Sequence, residues 1–578
     1  MNAAQNQNRN DANYVPLAFQ AQIPDRGKIQ YAGNHQPAQK WLNEWLKGCP
    51  PVPEPETSSV PQWQRRAVKP TAGSRLPEFG KTVQTWEYTM SWRMVTNGGQ
   101  DDGIIRPVIG ARGLPYFSGS SMKGAFRHVC PPELVLELCG SDNRDGDPQP
   151  GILRFHGGYP TSMDWGDRTL LVDLVHPQQG RQVGWSDKTT SANVLISLFQ
   201  PTFKFGISSS QLPPDSPRWK EIQAIWEKAL SYGLGSRVSA GYGYVDEITS
   251  SDRAILSVNL KGQGLASKLL NGEPEFRSNM FKATLRGHTL RILAGLIADD
   301  KAVKRLNAKI WGDTESYPLN RRDRSEPIVG LVGVRFSYDG EDLKFSGNPR
   351  IPKYKLQEGK LELIRMGETS TELEEFIRNV VRFSILIGGI GKSSRRVDHS
   401  VFYREYLEDR KPQIGCHWEM LEDSYNLGVM TGSDNLSNIS SFFNALRTKA
   451  IAWLATQTIT PTGYVRNWRE VWHQDRVQVW GRIAENSRDS RAVRWYHQTN
   501  RLKDTPWGGE QDGNRVRKIS RSYHRMYPRL QRKVSGEVFR KNSQYVEILT
   551  LFGYESNGRQ NFPDFIAQQH NDGWIRLW

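Results

Sequence analysis

The sequence predicts an α+β protein made of two tandem units, each with the order strand, helix, strand, strand, helix, strand. Three observations carry this. A two-part pattern, an early helix with basic residues in its first turns and a much later glycine-rich basic loop, occurs twice. Each glycine loop follows a segment with a clear apolar stripe at helical spacing. The chain also carries 77 Lys and Arg against 61 Asp and Glu over 578 residues, a net charge of +16, which calls for a polyanionic partner.

The elements follow in order. Residues 1–80 read as an N-terminal extension: a polar tail, one helix from Ala38 to Trp45, and a proline-rich linker over 49–55. A first unit is predicted over 81–250. It opens with a strand over Thr82–Val95, rich in Trp, Tyr, Thr and Val, and continues through a turn containing Asp101 and Asp102. Ser120 and Ser121 are read as N-caps of a helix from Met122 to about Val129. Trp219–Tyr232 places Ile222, Ile225, Trp226 and Leu230 on one helical face, ends at Gly233, and precedes a strand at Tyr242–Val245.

A second unit is predicted over 251–578. It has a strand over Ala254–Leu260, helices over Phe281–Ile297 and Thr371–Leu386, a loop over Gly388–Arg396, and a closing strand over His399–Tyr403. This βαββαβ order is that of a ferredoxin-like fold. Beyond it, Ile439–Ala455 reads as a helix, and Tyr545–Phe552 and Trp574–Trp578 read as strands completing the last domain. Arg515–Lys533 holds eight Lys or Arg and no acid, with Tyr523, Met526 and Tyr527 interleaved. That stretch reads either as a solvated basic face or as an RNA contact.

Composition excludes several classes. No apolar run approaches the roughly twenty residues that span a bilayer, and the N-terminus lacks the apolar core of a signal peptide. Cys49, Cys130, Cys139 and Cys416 have no C-x-x-C spacing, which fits a reducing cytoplasm and neither a zinc ribbon nor a disulfide scaffold. There is no Walker A motif, because Gly389-Ile390-Gly391-Lys392-Ser393 lacks its spacing. No His/Cys cluster points to a structural metal. The 19 Trp and 20 Tyr beside the basic residues suit single-stranded nucleic acid, where bases stack and phosphates pair.

Both halves of the duplicated pattern suit phosphate binding. A helix start offers free N–H groups and a dipole, and glycines let a backbone approach an anion closely. The candidate contacts are Ser120, Ser121, Lys123, Arg127 and Arg237 in the first unit. In the second they are Arg286, Arg291, Lys392, Ser393, Ser394, Arg395 and Arg396.

The segment Gly113–Arg127, with Ser118-Gly119-Ser120-Ser121-Met122-Lys123-Gly124 at its centre, resembles the G-x-P-x-I-P-G-S-S-L-K-G-x-x-R signature of the RAMP proteins of CRISPR systems. Phe117-Ser118 stands where that family has Ile-Pro. The loop at Gly233–Gly243 is similar to the family's second hallmark. Gly388–Arg396 resembles the same loop in a divergent second copy, in which Arg286–Arg291 keeps only the arginines. The resemblance covers about residues 80–405 and is closest to tandem RAMP fusions of type III effector complexes, as in type III-D variants.

It implies RRM-like units with inserted thumb hairpins lining a guide RNA (crRNA), a cytoplasmic ribonucleoprotein with other type III subunits as partners, and no membrane. In catalytic members an aspartate between the first strand and the serine–lysine helix cuts target RNA with a divalent metal. Here Asp102 or Asp101 falls in that interval, with Mg²⁺ as the implied cofactor. The second unit offers only Glu273 and Glu275 there. Two other readings stay open: a purely architectural guide-binding subunit, and an endoribonuclease that processes repeat RNA through His288 or His399.

Overall fold

The computed structural model describes residues 76–96, 98–101, 104–110, 113–141, 149–162, 165, 172–175, 182–184, 193–246, 248, 251–268, 274–313, 328–348, 351–403, 405, 415–432, 434–512, 515–518, 520–556 and 559–578. At 100–101, 104, 172–175, 193–194, 251, 348, 510–512, 515–518, 554 and 556 the backbone alone is described. The tail, helix and linker expected before residue 76 lie outside these residues, as do Cys49, Asp102 and Glu273. The chain forms two compact units, 1–176 with 190–252 and 269–271, and 177–189 with 253–268 and 272–578. Both mix helix and sheet, so the protein is α+β.

In the first unit the expected opening strand is split into β1 (Gln84–Thr89) and β2 (Arg93–Met94). The break follows from partner choice: β1 pairs with the strand at Thr202–Ser209, whereas β2 pairs with Leu198–Phe199. Helix α1 (Gly119–Val129) and α2 (Pro132–Cys139) follow, then β3 (Leu153–Pro160), β4 (Thr202–Ser209) and α3 (Arg218–Ser231). The antiparallel sheet runs β1–β4–β3. Met122 and Phe126 of α1, and Ile222, Trp226 and Leu230 of α3, share one core with Phe203, Phe205 and Ile207 of β4. The closing strand expected at Tyr242–Val245 is instead a single antiparallel bridge between Met90 and Val245, because Leu234 and Arg93 take the hydrogen bonds of Gly243.

Among the described residues, the two largest sheets of the second unit are antiparallel, one of five strands and one of four. The first is formed by β5 (Ala254–Leu265), β6 (Val332–Ser337), β8 (Ile351–Arg365) and β9 (Cys416–Met420) in the order β6–β8–β5–β9, with β7 (Leu343–Asn348) pairing beside β8. Between its strands lie α4 (Met280–Ala294), α5 (Asp300–Trp311) and α6 (Thr371–Ile387). The closing strand is β9. His399–Tyr403, expected to be that strand, contains a short helix, α7 (His399–Phe402), because Asp398 accepts from the Ser400 N–H and caps it.

After α8 (Ser437–Thr456) comes a second sheet, which includes strands where the sequence predicts them at Tyr545–Phe552 and Trp574–Trp578 and others it does not mark. Its strands are β10 (Val477–Ala484), β11 (Ser522–Arg532), β12 (Val538–Phe552) and β13 (Ile575–Arg576), with the short helix α9 (Ala492–Trp495) after the first strand. The order is β11–β12–β10–β13. With β7 set aside and the strands numbered by chain position, both sheets run second–third–first–fourth, and every pair is antiparallel. Alternation along β12 explains its place. Val546, Ile548 and Phe552 join the core that contains Phe376 and Val380 of α6 and Phe443 of α8, while Leu549 and Leu551 join an aromatic cluster with Trp480, Trp495, Trp507 and Trp574 on the opposite face.

Over 522–530 the basic stretch is therefore neither a solvated face nor a free contact surface; the side chains of 515–519 lie outside the described residues. Residues 522–530 are buried strand.

Candidate nucleic-acid interface

In the first unit the start of α1 is fixed by close backbone approach. A Cβ on Gly119 would stand 2.1 Å from the Phe155 carbonyl oxygen, so only glycine lets the helix start against β3. Tyr116 completes the joint, accepting from the Gly119 N–H at 3.1 Å and donating to the His156 carbonyl at 2.9 Å. The N-cap is Ser118, in extended conformation, whose Oγ accepts from the Ser121 N–H. Ser120 and Ser121, expected as caps, lie inside the first turn, with their hydroxyls 3.0 and 2.8 Å from Ser118 Oγ.

Helical spacing then sorts the side chains. Met122, Phe126 and Val129 are buried, and Ser120, Ser121, Lys123 and Gly124 are exposed together. The first turn holds no acid, so the partial positive charge of the helix start faces solvent uncompensated. Gly124 adds to the picture: a Cβ there would meet nothing within 4 Å. A helix-interior glycine costs about 1 kcal/mol relative to alanine, and nothing among the described residues requires this one. Arg127 turns away and donates to the Gly140 carbonyl at 2.7 Å, clipping α1 to the end of α2.

The first glycine loop serves packing. Gly235 has φ +80, and its Cβ would stand 2.2 Å from the Val95 carbonyl oxygen. The next residue, Ser236, donates its N–H to that same oxygen at 2.8 Å. Arg237 adopts a left-handed φ of 63 and is half-buried.

The second unit divides its expected contacts into two sets. Arg291, 1% exposed, donates to Glu470 through Nε at 2.9 Å and to the Tyr523 hydroxyl at 2.7 Å. Arg395 is buried, meets Glu470 at 2.6 Å and lies 4.7 Å from the Tyr523 ring centre. Arg396 is buried 3.6 Å above Tyr496 and donates to the Gly508 carbonyl at 2.9 Å. These three guanidiniums are internal fastenings of the loop and not an outward grip. Arg286, partly exposed, pairs with Asp313.

What remains outward is Lys392 and Ser393, both exposed, with Ser394 half-buried. Desolvation, then the nearby Lys268 and Arg277, push the Lys392 ammonium below its usual range. Lys268 and Arg277 therefore belong to the same basic cluster. Sequence reading passes over them because they lie in the connection from β5 to α4, outside both motif halves. Arg277 is partly neutralised by Glu275 at 2.6 Å, so the one second-unit carboxylate of that interval that is described is held in an ion pair.

The two histidines of the repeat-processing reading are buried. His288 shares a hydrogen bond with the Gly388 carbonyl at 2.9 Å. Burial and then Arg291 push its imidazole down to about 3, so it is neutral near pH 7. His399, in α7, is driven well below the usual range, by burial first. Neither presents an imidazole at the surface.

Asp102 lies outside the described residues. The Asp101 backbone ends the strand Gly99–Asp101, paired with Ile104–Arg106. Among the described residues no group of three His, Cys, Asp or Glu could hold a metal ion, and no helix is long and apolar enough to cross a membrane.

The solved structures similar to part of the chain include the following two. One is the cryo-EM structure of the Type III-B Cmr-beta bound to cognate target RNA, at 19% identity over 28% of this chain and 57% of that one, with a TM-score of 0.22. The other is the crystal structure of Cmr6 from Pyrococcus furiosus, at 15% identity over 28% of this chain and 96% of that one, with a TM-score of 0.19. The chain thus spans little more than half of the first of these. No protein-family model and no curated protein matches it.

Proposed function

We propose that this chain is a backbone subunit of a type III CRISPR effector complex. In this reading tandem ferredoxin-like units hold the phosphates of a guide RNA, and target RNA and other effector subunits are the partners. The observation that carries the reading is the exposed, acid-free start of α1, where Ser120, Ser121, Lys123 and Gly124 form one face. Hydroxyls, an ammonium and a bare backbone suit a phosphate chain passing close by. The motif resemblance of the same residues supplies the class of nucleic acid. In the second unit the equivalent contacts are Lys392 and Ser393, assisted by Lys268 and Arg277.

The proposal includes target-RNA cleavage at the first unit. Asp101 and Asp102, in the connection from the first strands to α1, are the carboxylates a Mg²⁺ ion would use there. The architectural reading differs only in lacking this step.

Filter binding of the full chain to unrelated single-stranded RNAs tests the interface. Lys123→Gln should weaken all of them by a similar factor, because phosphate contacts carry no sequence information. Undiminished binding would contradict the proposal.

A further inference from the structure

The C-terminal sheet repeats the plan of the sheet before it, in the order β11–β12–β10–β13. Its connections also cover one face. Ala492 and Trp495 of α9, after the first strand, share a cluster with Ile566 and Trp574, before the last. Strand, helix, two strands, a helical turn at Asp564–Ile566 and a last strand is a ferredoxin-like order. In the first unit the connection from β1 to β3 carries α1, with Lys123 exposed. The corresponding connection here, from β10 to β11, carries α9.

That connection is basic. Between Glu485 and Asp504 stand Arg488, Arg491, Arg494, Arg501 and Lys503 against one acid, Asp489, which the buried Arg482 engages at 2.7 Å. Arg488, Arg491 and Arg494 recur at every third residue and are all exposed, while Ala492, Val493 and Trp495 are buried. Backbone bonds hold the segment. The buried Glu547 carboxylate accepts from the Arg491 and Ala492 N–H groups at 3.0 and 2.9 Å and from the Ser490 hydroxyl at 2.7 Å. The backbone donors here are therefore satisfied inside the chain, and the guanidiniums are what faces outward. Arg494 stands 3.6 Å from Glu405, with both side chains about half exposed, a pair that contributes little in water. Among the described residues no carboxylate pairs with the side chain of Arg488 or Arg491. Three like charges this close repel one another, and the fold makes no use of the first two.

We propose that Arg488, Arg491 and Arg494 form a third phosphate-contact surface for single-stranded RNA, carried by a third ferredoxin-like module over 477–578. The inference rests on the RNA-binding reading above and adds to it a surface outside both copies of the sequence motif. The chemistry names the ligand: a guanidinium pairs with two phosphate oxygens at once, and a row of them follows a charged backbone without reading its sequence.

The test measures binding of a labelled single-stranded oligouridine to the full chain across a salt series. Arg488→Gln with Arg491→Gln should lower the slope of log affinity against log salt by about 1.4, at about 0.7 for each phosphate contact, and leave the melting midpoint unchanged. Lys301→Gln with Lys309→Gln, the same loss of charge at exposed positions of α5, should leave the slope as in the wild type. If the arginine pair leaves the slope unchanged while Lys123→Gln still lowers it, the stripe faces solvent or another subunit, and this inference falls while the RNA reading stands. Equal losses from both pairs would overturn it in the same way. A wild-type chain that does not bind oligouridine would overturn both.

Discussion

Glu470 shows what a single residue does here. Burial alone would raise its carboxyl, but the guanidiniums of Arg395 and Arg291 outweigh burial and hold it at about 2. Replacing it by Gln would leave those cations buried and unpaired, and should cost roughly 3–5 kcal/mol, measured by urea denaturation. The sign with pH follows from a folded value below the ordinary 4.5. The contribution is complete above about 4.5 and is lost as pH falls toward about 2. Glu547 behaves the same way, so acid melts should show the second unit losing stability in that window, and less steeply in Glu470→Gln.

The two aspartates carry the chemical half of the proposal. Asp101→Ala and Asp102→Ala, made separately, should leave guide binding intact, and one of them should remove one cut in a guide-complementary RNA incubated with Mg²⁺. If both variants cut at every wild-type position, the first unit is architectural.

At the scale of elements, α1 contains two glycines with opposite reasons to exist. Gly119→Ala drives a Cβ into the Phe155 carbonyl and should destabilise the first unit by about 1–3 kcal/mol. Gly124→Ala meets nothing, so it should stabilise the helix by about 0.5–1 kcal/mol while weakening RNA binding. Thermal melts and filter binding on the pair separate these effects. A Gly124→Ala variant with unchanged affinity would remove Gly124 from the interface.

The elements also show what sequence makes legible. Helices α3 and α6 are readable because Ile222, Ile225, Trp226 and Leu230, or Leu373, Phe376, Val380 and Phe383, recur at helical spacing. Strand β9 is not: its five residues alternate apolar and polar, but it is short, and His417 and Glu419 on its polar side are themselves buried. Strand β11 is concealed for a different reason. Arg525 is satisfied by carbonyls and a ring nitrogen, and Arg529 by Gln544 and Asp434, partners that no local count of charge reveals. The same blindness affects the site. Lys123 and Lys392, read as phosphate contacts, are exposed, whereas Arg395 and Arg396, read the same way, are turned inward by Glu470 and Tyr496, residues distant in sequence.

At the scale of the molecule, the net charge of +16 overstates what is available to a partner, since much of the arginine in the second unit is internal wiring. The account narrows the phosphate contacts to a few exposed positions on each unit, Lys123 and Lys392 foremost. The salt dependence of single-stranded RNA binding by the full chain measures this directly, as the slope of log affinity against log salt concentration. Each phosphate contact removed should lower the slope by about 0.7. The account predicts a drop of about 1.4 for the Lys123→Gln, Lys392→Gln double variant and no change for Arg395→Gln beyond its effect on folding. An unchanged slope in the double variant would contradict it.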